Sequence, residues 1–305
     1  MKAAVIGVGH LGRHHARILS SLPGISLAGI VDTNRERAAQ IAGEFRTTSF
    51  GDAAEIGAFD LAVIATPTES HAAIAMRLVE AGVHVLVEKP ITQTLLEADA
   101  LIAAAKRKGV VLAVGHSERF NPAVAAARPY VSDPRFIEVH RLGTQIGRSL
   151  DIDVVLDLMI HDLDLILSIV PSEVESVEAV GVPVLTNKVD IANARVRFKN
   201  GCIANLTASR ISKDQVRKIR FFQRERYVSI DTAAKEVEMF QLVPQAGGQP
   251  TIGGGKQAVA GDEPLRAELE DFVAAVREGR APAVPGEQGR AALALAVRIV
   301  ELMRQ

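Results

Sequence analysis

The chain has few of the features that mark several common protein classes. A single cysteine, Cys202, excludes an intramolecular disulfide framework. Positive and negative charges are nearly balanced, with 35 Lys and Arg and 36 Asp and Glu. This balance argues against a strongly basic nucleic-acid binder. No apolar run is long enough to cross a bilayer, and Asp residues interrupt the best candidate, 151–170. The N-terminus has no signal-peptide layout, so we expect a soluble cytoplasmic protein without a membrane partner.

The composition that remains is that of an ordinary globular protein. Of the 305 residues, 48% are hydrophobic and 23% are charged, which is enough to bury a sizeable core. The length suggests about two domains.

The first part of the chain alternates two kinds of segment. Short apolar runs, typical of strands buried on both faces, occupy 3–6, 27–31, 61–65, 83–87 and 110–114. Helical patterns lie between them at 11–22, 35–44, 70–81 and 95–108. This alternation predicts an α/β domain with a doubly wound parallel sheet over 1–118.

The second part of the chain, 119–305, has a different pattern. Helices are predicted near 122–130, over 152–170, and at 264–278 and 287–304. Alternating strands at 192–198 and 203–209 flank Asn200-Gly201, a strong hairpin signal, and further strands are expected at 216–222, 227–231 and 237–242. The stretch 244–262 is rich in Gly, Gln and Pro and reads as a loop. We predict an α+β domain with a large, mainly antiparallel sheet.

A glycine-rich turn follows the first predicted strand and opens the first helix. In Gly7-Val8-Gly9-His10-Leu11-Gly12, the glycines permit a tight turn, close approach of a pyrophosphate, and close helix–strand packing. Asp32 ends the second strand, where a carboxylate accepts ribose hydroxyls and repels a 2′-phosphate. We therefore expect NAD rather than NADP, although the nearby Arg35 softens this preference; the alternative is a structural turn with a capping Asp. The expected contacts are Gly7, Gly9, His10, Leu11, Gly12 and Asp32.

Polar residues follow two other predicted strands, at the edge where ligands bind in such sheets. Glu88-Lys89-Pro90 comes directly after the fourth apolar run, and Thr66-Pro67 with His71 follows the third. Pro90 restricts the residues before it to extended geometry and is compatible with a cis peptide. From the residues alone, Lys89 is either a catalytic group or a solvated lysine beside a turn.

Three polar residues share one face of the long helix predicted over 152–170. Asp157, His161 and Asp164 are at i, i+4 and i+7 on an otherwise apolar helix. They are either a buried, hydrogen-bonded structural group or titratable groups facing a cofactor crevice. Asp162 and His140 add no convincing ligand set, so we do not expect a metal.

Together these motifs resemble the glucose–fructose oxidoreductase / inositol dehydrogenase (Gfo/Idh/MocA) family. The resemblance rests on the glycine turn, Asp32, Thr66-Pro67 with His71, Glu88-Lys89-Pro90, Gly115-His116 leading into Arg119-Phe120-Asn121-Pro122, and the run from Asp157 to Asp164. It covers essentially the whole chain. It implies an oxidoreductase with an N-terminal Rossmann domain that binds the dinucleotide and a C-terminal domain for substrate and oligomerisation.

The resemblance also implies roles for individual residues. Lys89 corresponds to the lysine that contacts substrate and nicotinamide, and Thr66, Pro67, His71 and Glu88 are expected at the cofactor. His161 corresponds to the usual general acid/base, and Asp157 to the residue that binds a substrate hydroxyl. Met159 stands where the family usually has Gly, which narrows the pocket or shifts the helix. Hydride would pass between a carbinol carbon and nicotinamide, with His161 or Lys89 as the base.

The run 115–122 is similar to that of nucleotide-sugar members of the family, including UDP-N-acetylhexosamine 3-dehydrogenases. We expect that subgroup, with a free sugar or inositol dehydrogenase as the alternative. Other classes are a catalytically silent NAD and sugar sensor, and a reductase of a non-sugar substrate. The expected substrate contacts are Lys89, Arg119, Asn121, Arg148, Asp157 and His161. Arg119, Arg141, Arg148 and Arg210 are each also explicable as surface charges or ion pairs.

The predicted antiparallel sheet has one face that a single layer of helices leaves uncovered. Arg195, Arg197, Lys218 and Arg220 are expected on it. Solvent is one explanation for these polar residues. The family resemblance implies pairing through this sheet, as a homodimer or homotetramer.

Overall fold

The chain forms two compact units in a computed structural model that describes residues 1–144, 152–245, 248–261 and 263–304. The first unit comprises Met1–Ser117 and Leu265–Arg290, and the second comprises Glu118–Pro264 and Ala291–Gln305. Residues 265–290 thus cluster with the N-terminal part of the chain, although the sequence analysis placed them in the second domain. The division of functions between 1–118 and 119–305 stays a prediction.

The first unit is built on a six-stranded parallel sheet with the order β3-β2-β1-β4-β5-β6. Its strands are β1 (Lys2–Ile6), β2 (Ser26–Val31), β3 (Ser49–Phe50), β4 (Leu61–Ile64), β5 (His84–Glu88) and β6 (Leu112–Gly115). The helices that follow β1, β2, β4 and β5 are α1 (His10–Leu19), α2 (Arg35–Glu44), α3 (Thr68–Glu80) and α4 (Leu95–Lys108). This is the strand order of the doubly wound dinucleotide-binding fold, which confirms the fold class predicted for the first domain.

Local sequence sets the ends of α4. The Thr94 hydroxyl accepts the N–H of Glu97, and the Glu97 carboxylate accepts the N–H of Thr94, which is a capping box. Gly109 ends the helix with a φ of +65°, the left-handed conformation that favours glycine. The helix therefore begins and ends where its own residues satisfy the free backbone groups.

The second unit is built on an eight-stranded sheet with the order β14-β13-β12-β11-β7-β10-β9-β8. Its strands are β7 (Phe136–Thr144), β8 (Val174–Val182), β9 (Ile191–Phe198), β10 (Ile203–Ser209), β11 (Ile211–Gln223), β12 (Arg226–Asp231), β13 (Glu236–Val243) and β14 (Thr251–Gln257). All neighbours are antiparallel except β7 and β10, so the predicted mainly antiparallel sheet is confirmed. The hairpin between β9 and β10 turns at Gly201, whose φ is +83°.

Three strands of this sheet differ from the sequence expectation. β7 and β8 were not predicted, and β14 lies within a stretch predicted as a loop, which is therefore wrong for 251–257. β14 pairs with β13 at the edge of the sheet. A Cβ at Gly254 would lie 2.0 Å from the carbonyl oxygen of Met239. The glycine is therefore needed for the close pairing of β14 with β13 and does not mark a flexible linker.

The core of the second unit lies on one face of the sheet. Ile137, Phe221 and Val228 point into it, together with residues of α5 (Pro122–Ala127) and α6 (Ile160–Ile169). The alternation predicted for 192–198 is confirmed, because Ala192, Ala194, Val196 and Phe198 are all buried.

Two closing helices were predicted, and both form. α7 (Pro264–Glu278) packs Leu269 and Phe272 into the same core as Ala16 and Leu19 of the first unit. α8 (Gly286–Leu302) contributes Leu295, Ile299 and others to the core of the second unit. Within the described residues, none of the helices has the length and apolar character needed to cross a bilayer.

Candidate active site

The glycine turn between β1 and α1 has the geometry that its sequence predicts. Gly7 has a φ of +83°, and a Cβ there would lie 2.7 Å from the carbonyl oxygen of Ala65. A Cβ at Gly12 would lie 1.8 Å from the carbonyl oxygen of Gly7, so the helix packs directly on the turn. A Cβ at Gly9 would meet nothing within 4 Å, and Gly9 is the N-cap of α1. The turn thus leaves open space at the helix N-terminus, which suits a pyrophosphate.

The Asp32 carboxylate is held in place by the backbone around it. One oxygen, Oδ2, accepts the N–H of Val8 at 2.8 Å, and Oδ1 accepts the N–H of Asn34 at 2.8 Å. Each carboxylate oxygen accepts more than one hydrogen bond, so both retain capacity for a ribose diol. Arg37 donates from Nε to the carbonyl of Val8, which ties α2 to the glycine turn. The arrangement fits the ribose contact predicted for Asp32.

A cavity of about 860 Å³ lies along this edge of the first unit. It includes five of the predicted cofactor residues, Gly7, Gly9, Asp32, Thr66 and Pro67. His10 and Leu11 are exposed at the start of α1, and their contact with the cofactor stays a prediction.

Part of the wall of this cavity was not predicted from the sequence. Ser70, Ile74 and Arg77 line it from one face of α3. Arg77 forms a bidentate ion pair with Asp52, at 2.9 and 2.8 Å, and Asp52 also lines the cavity. Their helical spacing after Thr66-Pro67 was a usable signal, since residues at i, i+4 and i+7 share a face.

His71 joins two of the predicted loops. Its ring is almost fully buried, with Nδ1 2.9 Å from the carbonyl oxygen of Pro90 and Nε2 2.9 Å from that of Thr66. Because both partners are acceptors, each ring nitrogen that carries a proton donates to one of the loops. A direct contact of His71 with the cofactor stays a prediction.

Glu88 is buried beneath the position of Lys89. Its Oε1 lies 2.8 Å from Nε2 of His15, and its Oε2 accepts the backbone N–H of Lys89 at 3.2 Å. Burial alone would raise the pKa of Glu88, but the hydrogen bond with His15 and the electrostatic interactions with His15 and Lys89 lower it overall. The Lys89–Pro90 peptide bond is cis. Lys89 is half-buried at the carboxyl end of β5, the edge where the sequence analysis expected chemistry.

The Asp–His segment is not the single α-helix that the sequence predicts. Val155–Met159 is a π-helix, and α6 continues from Ile160. Asp157 and His161 are half-buried, whereas Asp164 is 1% exposed. Met159, the departure from the family pattern, is fully buried in the apolar core. Such π-helical turns occur often at functional sites, and this one contains Asp157.

Two buried ion pairs fix α6. Arg119 pairs with Asp164, with Nε 2.6 Å from Oδ2 and Nη2 2.9 Å from Oδ1. Arg141 on β7 pairs with Asp162 at 2.8 and 2.7 Å, and also contacts Glu118 at 3.2 Å. Burial would lower the pKa of Arg141, but these two carboxylates raise it overall. Each of the two acidic residues of α6, Asp162 and Asp164, is thus paired with a guanidinium group.

Asn121 and Arg210 also have partners within the second unit. Asn121 caps α5 by accepting the N–H of Ala123 at 3.0 Å, and donates to the carbonyl of Thr232 at 3.0 Å. Arg210 is 1% exposed and donates to the carbonyl of Ile152 at 2.5 Å, just before the π-helix. Substrate contacts of Arg119 and Asn121 stay predictions. Arg148, also predicted to contact substrate, lies outside the described residues.

Family models match both parts of the chain. Residues 1–116 match the model described as "Oxidoreductase family, NAD-binding Rossmann fold", and residues 143–225 match the GFO/IDH/MocA C-terminal domain.

One relative extends the match to nearly the full length. UDP-N-acetylglucosamine 3-dehydrogenase of Acidithiobacillus ferrooxidans is 42% identical over 98% of this chain and 96% of its own. A solved structure of that enzyme covers 100% of this chain and 99% of its own, with a TM-score of 0.93 and 40% identity. The NAD-dependent scyllo-inositol 2-dehydrogenase of Bacillus subtilis is 30% identical over 70% of this chain and 68% of its own.

A third relative is similar in fold. Levoglucosan dehydrogenase, solved in complex with NADH, has a TM-score of 0.89 and covers 100% of this chain and 97% of its own, with 22% identity.

Proposed function

Because the chain belongs to the Gfo/Idh/MocA family of oxidoreductases, we propose that it is an NAD-dependent UDP-N-acetylhexosamine 3-dehydrogenase. Its N-terminal domain is an NAD-binding Rossmann fold. In the proposed reaction, the hydroxyl at C3 of the hexosamine is oxidised to a ketone. The carbon loses a hydride to nicotinamide, and the hydroxyl loses a proton to the protein.

One observation carries this proposal. The 42% identity to UDP-N-acetylglucosamine 3-dehydrogenase extends over 98% of the chain. The match therefore includes the region of Asp157 and His161 as well as the dinucleotide-binding motif. The run 115–122, which the sequence analysis identified as similar to nucleotide-sugar members, is consistent with it.

The roles of three residues follow from this chemistry. His161 takes the hydroxyl proton, because an imidazole exchanges protons near neutral pH. Lys89 stabilises developing alkoxide charge, or takes the proton in place of His161. Asp157 accepts a hydrogen bond from a sugar hydroxyl and so orients the ring. Asp157 and His161 are both half-buried residues rather than fully buried ones.

The residues present fit a bound dinucleotide. Space at Gly9 and the helix N-terminus suit the pyrophosphate, and the cavity of about 860 Å³ suits the adenosine half. When bound, NAD supplies the hydride acceptor. Asp32 supports NAD over NADP, because its carboxylate accepts ribose hydroxyls and repels a 2′-phosphate.

The open face of the second sheet supports pairing with a second copy of the chain. Four aromatic residues form a row across β7, β11, β12 and β13, with ring centroids 5.5, 5.1 and 6.4 Å apart along the series Phe136, Phe222, Tyr227 and Phe240. They alternate with the buried core residues of the same strands and are partly exposed. Aromatic residues are enriched at protein interfaces, so we propose that a homodimer or homotetramer covers this face. A cytoplasmic location stays a prediction.

The test is NADH absorbance after the purified protein is mixed with NAD and UDP-N-acetylglucosamine. Free N-acetylglucosamine and inositols are run in parallel. In a second series a 2-oxo acid is added to reoxidise trapped NADH, and turnover is then measured as the 2-hydroxy acid formed. The proposal predicts a signal with the UDP-sugar, and its loss in Lys89→Ala and His161→Ala. A signal with NAD that is confined to free polyols would contradict it.

Such a result would establish the second candidate, a free sugar or inositol dehydrogenase. The 30% identity to scyllo-inositol 2-dehydrogenase favours this alternative over other classes. NADH binding without turnover of any of these compounds would instead indicate a sensor.

A further inference from the structure

Three buried polar side chains, those of His15, Glu88 and Glu268, lie close together in the first unit. Of these residues, the sequence predicted only Glu88 as part of the site. His15 lies on α1, Glu88 ends β5, and Glu268 lies on α7. They are 0%, 6% and 2% exposed, and one oxygen or nitrogen of each lies within 4.8 Å of the others. These side chains can ligate a cation, but the 2.8 Å between His15 Nε2 and Glu88 Oε1 is a hydrogen-bond distance. His15 and Glu88 are therefore hydrogen-bonded to each other directly, with no cation between these two atoms.

The Glu88 carboxylate uses its two oxygens for different partners. Oε1 is bonded to His15, and Oε2 accepts the backbone N–H of Lys89. The carboxylate thus connects helix α1 to the backbone of Lys89. Hydrogen bonds to a charged group are among the stronger ones in proteins, and burial strengthens them further.

The surroundings hold this carboxylate in one orientation. Glu88 pairs with Gly115 on β6, and a Cβ at Gly115 would lie 2.9 Å from Oε2. Strand β6 therefore lies so close to the Glu88 carboxylate that a side chain larger than that of glycine would contact it at this position. On the other side of Lys89, His71 contacts the carbonyl oxygen of Pro90 at 2.9 Å. The backbone of Lys89 is fixed on both sides.

We propose that His15 is a positioning residue for Lys89 and acts through the buried carboxylate of Glu88. The inference rests on the proposed function, in which Lys89 contacts the substrate hydroxyl. His15 is on the helix whose N-terminus faces the pyrophosphate position at Gly9. It therefore couples the orientation of the lysine to the helix that holds the cofactor. Misplacement of a catalytic group by about 1 Å costs on the order of a hundredfold in rate, which sets the scale of the effect.

Two variants of His15 separate positioning from packing. His15→Leu removes the nitrogen and keeps an apolar side chain of similar bulk, whereas His15→Gln restores a nitrogen donor near the place of Nε2. His84→Leu is the matched control, since the Nδ1 of His84 accepts the N–H of Val111 and its ring is outside the predicted site. Thermal unfolding of each variant verifies that it is folded.

The steady-state test uses NAD and UDP-N-acetylglucosamine. We expect His15→Leu to lower kcat by about tenfold or more while the KM for NAD changes by less than about threefold. His15→Gln restores most of kcat, and His84→Leu leaves it unchanged. An unchanged kcat in His15→Leu, or a His15→Gln variant no better than His15→Leu, overturns the proposal.

A second measurement does not depend on the substrate. Amide hydrogen exchange at Lys89, followed by NMR, reports the hydrogen bond from Lys89 N–H to Glu88. His15→Leu should accelerate exchange at Lys89 and not at Val87, and His15→Gln should slow it again. If the wild-type protein oxidises no sugar, the proposed function has failed, and this exchange pattern alone decides the positioning role. Equal exchange at Lys89 in all variants overturns it.

Discussion

Arg119 and Asp164 form a bidentate ion pair, with Nε 2.6 Å from Oδ2 and Nη2 2.9 Å from Oδ1. The carboxylate is 1% exposed, so it depends on this guanidinium for compensation of its charge. Arg119 was predicted from the sequence to bind substrate, and the pair gives the same residue a second, structural role. Measurements of the stability and the substrate affinity of Arg119 variants distinguish the two roles.

Arg119→Ala should destabilise the protein by about 3–5 kcal/mol, because it leaves the buried Asp164 charge without a partner. Urea unfolding measures this loss. Arg119→Ala combined with Asp164→Ala should recover part of it, since the uncompensated charge is then absent. A variant Arg119→Ala of normal stability with a raised KM for the UDP-sugar would instead show that Arg119 serves the substrate alone.

Substitution of Asp32 should change the cofactor preference. Asp32→Asn keeps one acceptor oxygen for the N–H of Val8, loses the acceptor for the N–H of Asn34, and removes the negative charge that repels a 2′-phosphate. We expect the ratio of kcat/KM for NADP to that for NAD to rise by about tenfold or more, or about 1.4 kcal/mol. Steady-state kinetics with both cofactors measure this ratio, and Asp60→Asn, an exposed carboxylate of the same unit outside the cavity lining, is the control. An unchanged ratio would remove Asp32 from cofactor selection.

Two glycines of the turn should respond differently to the same substitution. Gly12→Ala places a methyl group 1.8 Å from the carbonyl oxygen of Gly7, so it should lower the free energy of unfolding by about 1–3 kcal/mol and weaken NADH binding. Gly9→Ala places its methyl group in open space, so it should keep the wild-type Tm while it weakens NADH binding. Thermal unfolding and NADH fluorescence titration measure the two effects. Normal NADH affinity in Gly9→Ala would contradict the proposed binding of the pyrophosphate at Gly9.

The acid stability of the second unit should depend on Asp190. The carboxylate is fully buried, and burial alone would raise its pKa, but N–H groups of Val184, Leu185 and Thr186 lower it overall. A carboxyl group with a lowered pKa in the folded state stabilises the protein above its unfolded pKa, about 3.9, and this contribution is lost as the pH falls through the folded pKa.

Asp190→Asn removes the titrating group, so its free energy of unfolding should be lower at neutral pH and fall less steeply between about pH 5 and pH 3. Urea unfolding across this range measures the slope. Asp133→Asn, at an exposed turn, is the control and should keep the wild-type slope. Parallel curves for wild type and Asp190→Asn would assign the acid sensitivity to other groups.

Substitution in the aromatic row should break up the proposed assembly. Phe222→Asp places a charge between Phe136 and Tyr227 on the open sheet face. Sedimentation equilibrium should show a multiple of 32.6 kDa for the wild type and a larger monomer fraction for the variant. Leu96→Asp, at an 80% exposed position on α4, should leave the mass unchanged. A wild-type protein that sediments as a monomer would contradict the assembly.

The parallel sheet was predictable because each of its longer strands contains a short, mainly apolar run, and helical patterns lie between these runs. β4, for example, is Leu-Ala-Val-Ile, and all four residues are buried. β14 was missed because its central Gly253-Gly254-Gly255 has the composition of a linker, and only the pairing with β13 makes it a strand. β7 was missed because it carries Arg141, whose burial depends on Asp162, a partner distant in sequence.

The candidate site was predictable to a similar extent. The glycine turn and Asp32 have a local geometry that their sequence spacing specifies, so they lie in the fold where they were expected, and their contact with the cofactor stays a prediction. The π-helical turn at Asp157 was not predictable, because apolar spacing does not distinguish it from an α-helix. His15 was missed for another reason: its partner, Glu88, is 73 residues away, and no pattern within the helix indicates the contact.

The nucleotide-binding unit is assembled from two stretches of chain that are made at different times. Leu269 and Phe272 of α7 complete an apolar core that begins with Ala3 and Val5. During synthesis, the sheet strands leave the ribosome well before α7, so the surface that α7 covers stays exposed to water until most of the chain has been translated. A truncation before α7 would therefore leave a dinucleotide-binding fold with an open core, prone to aggregation.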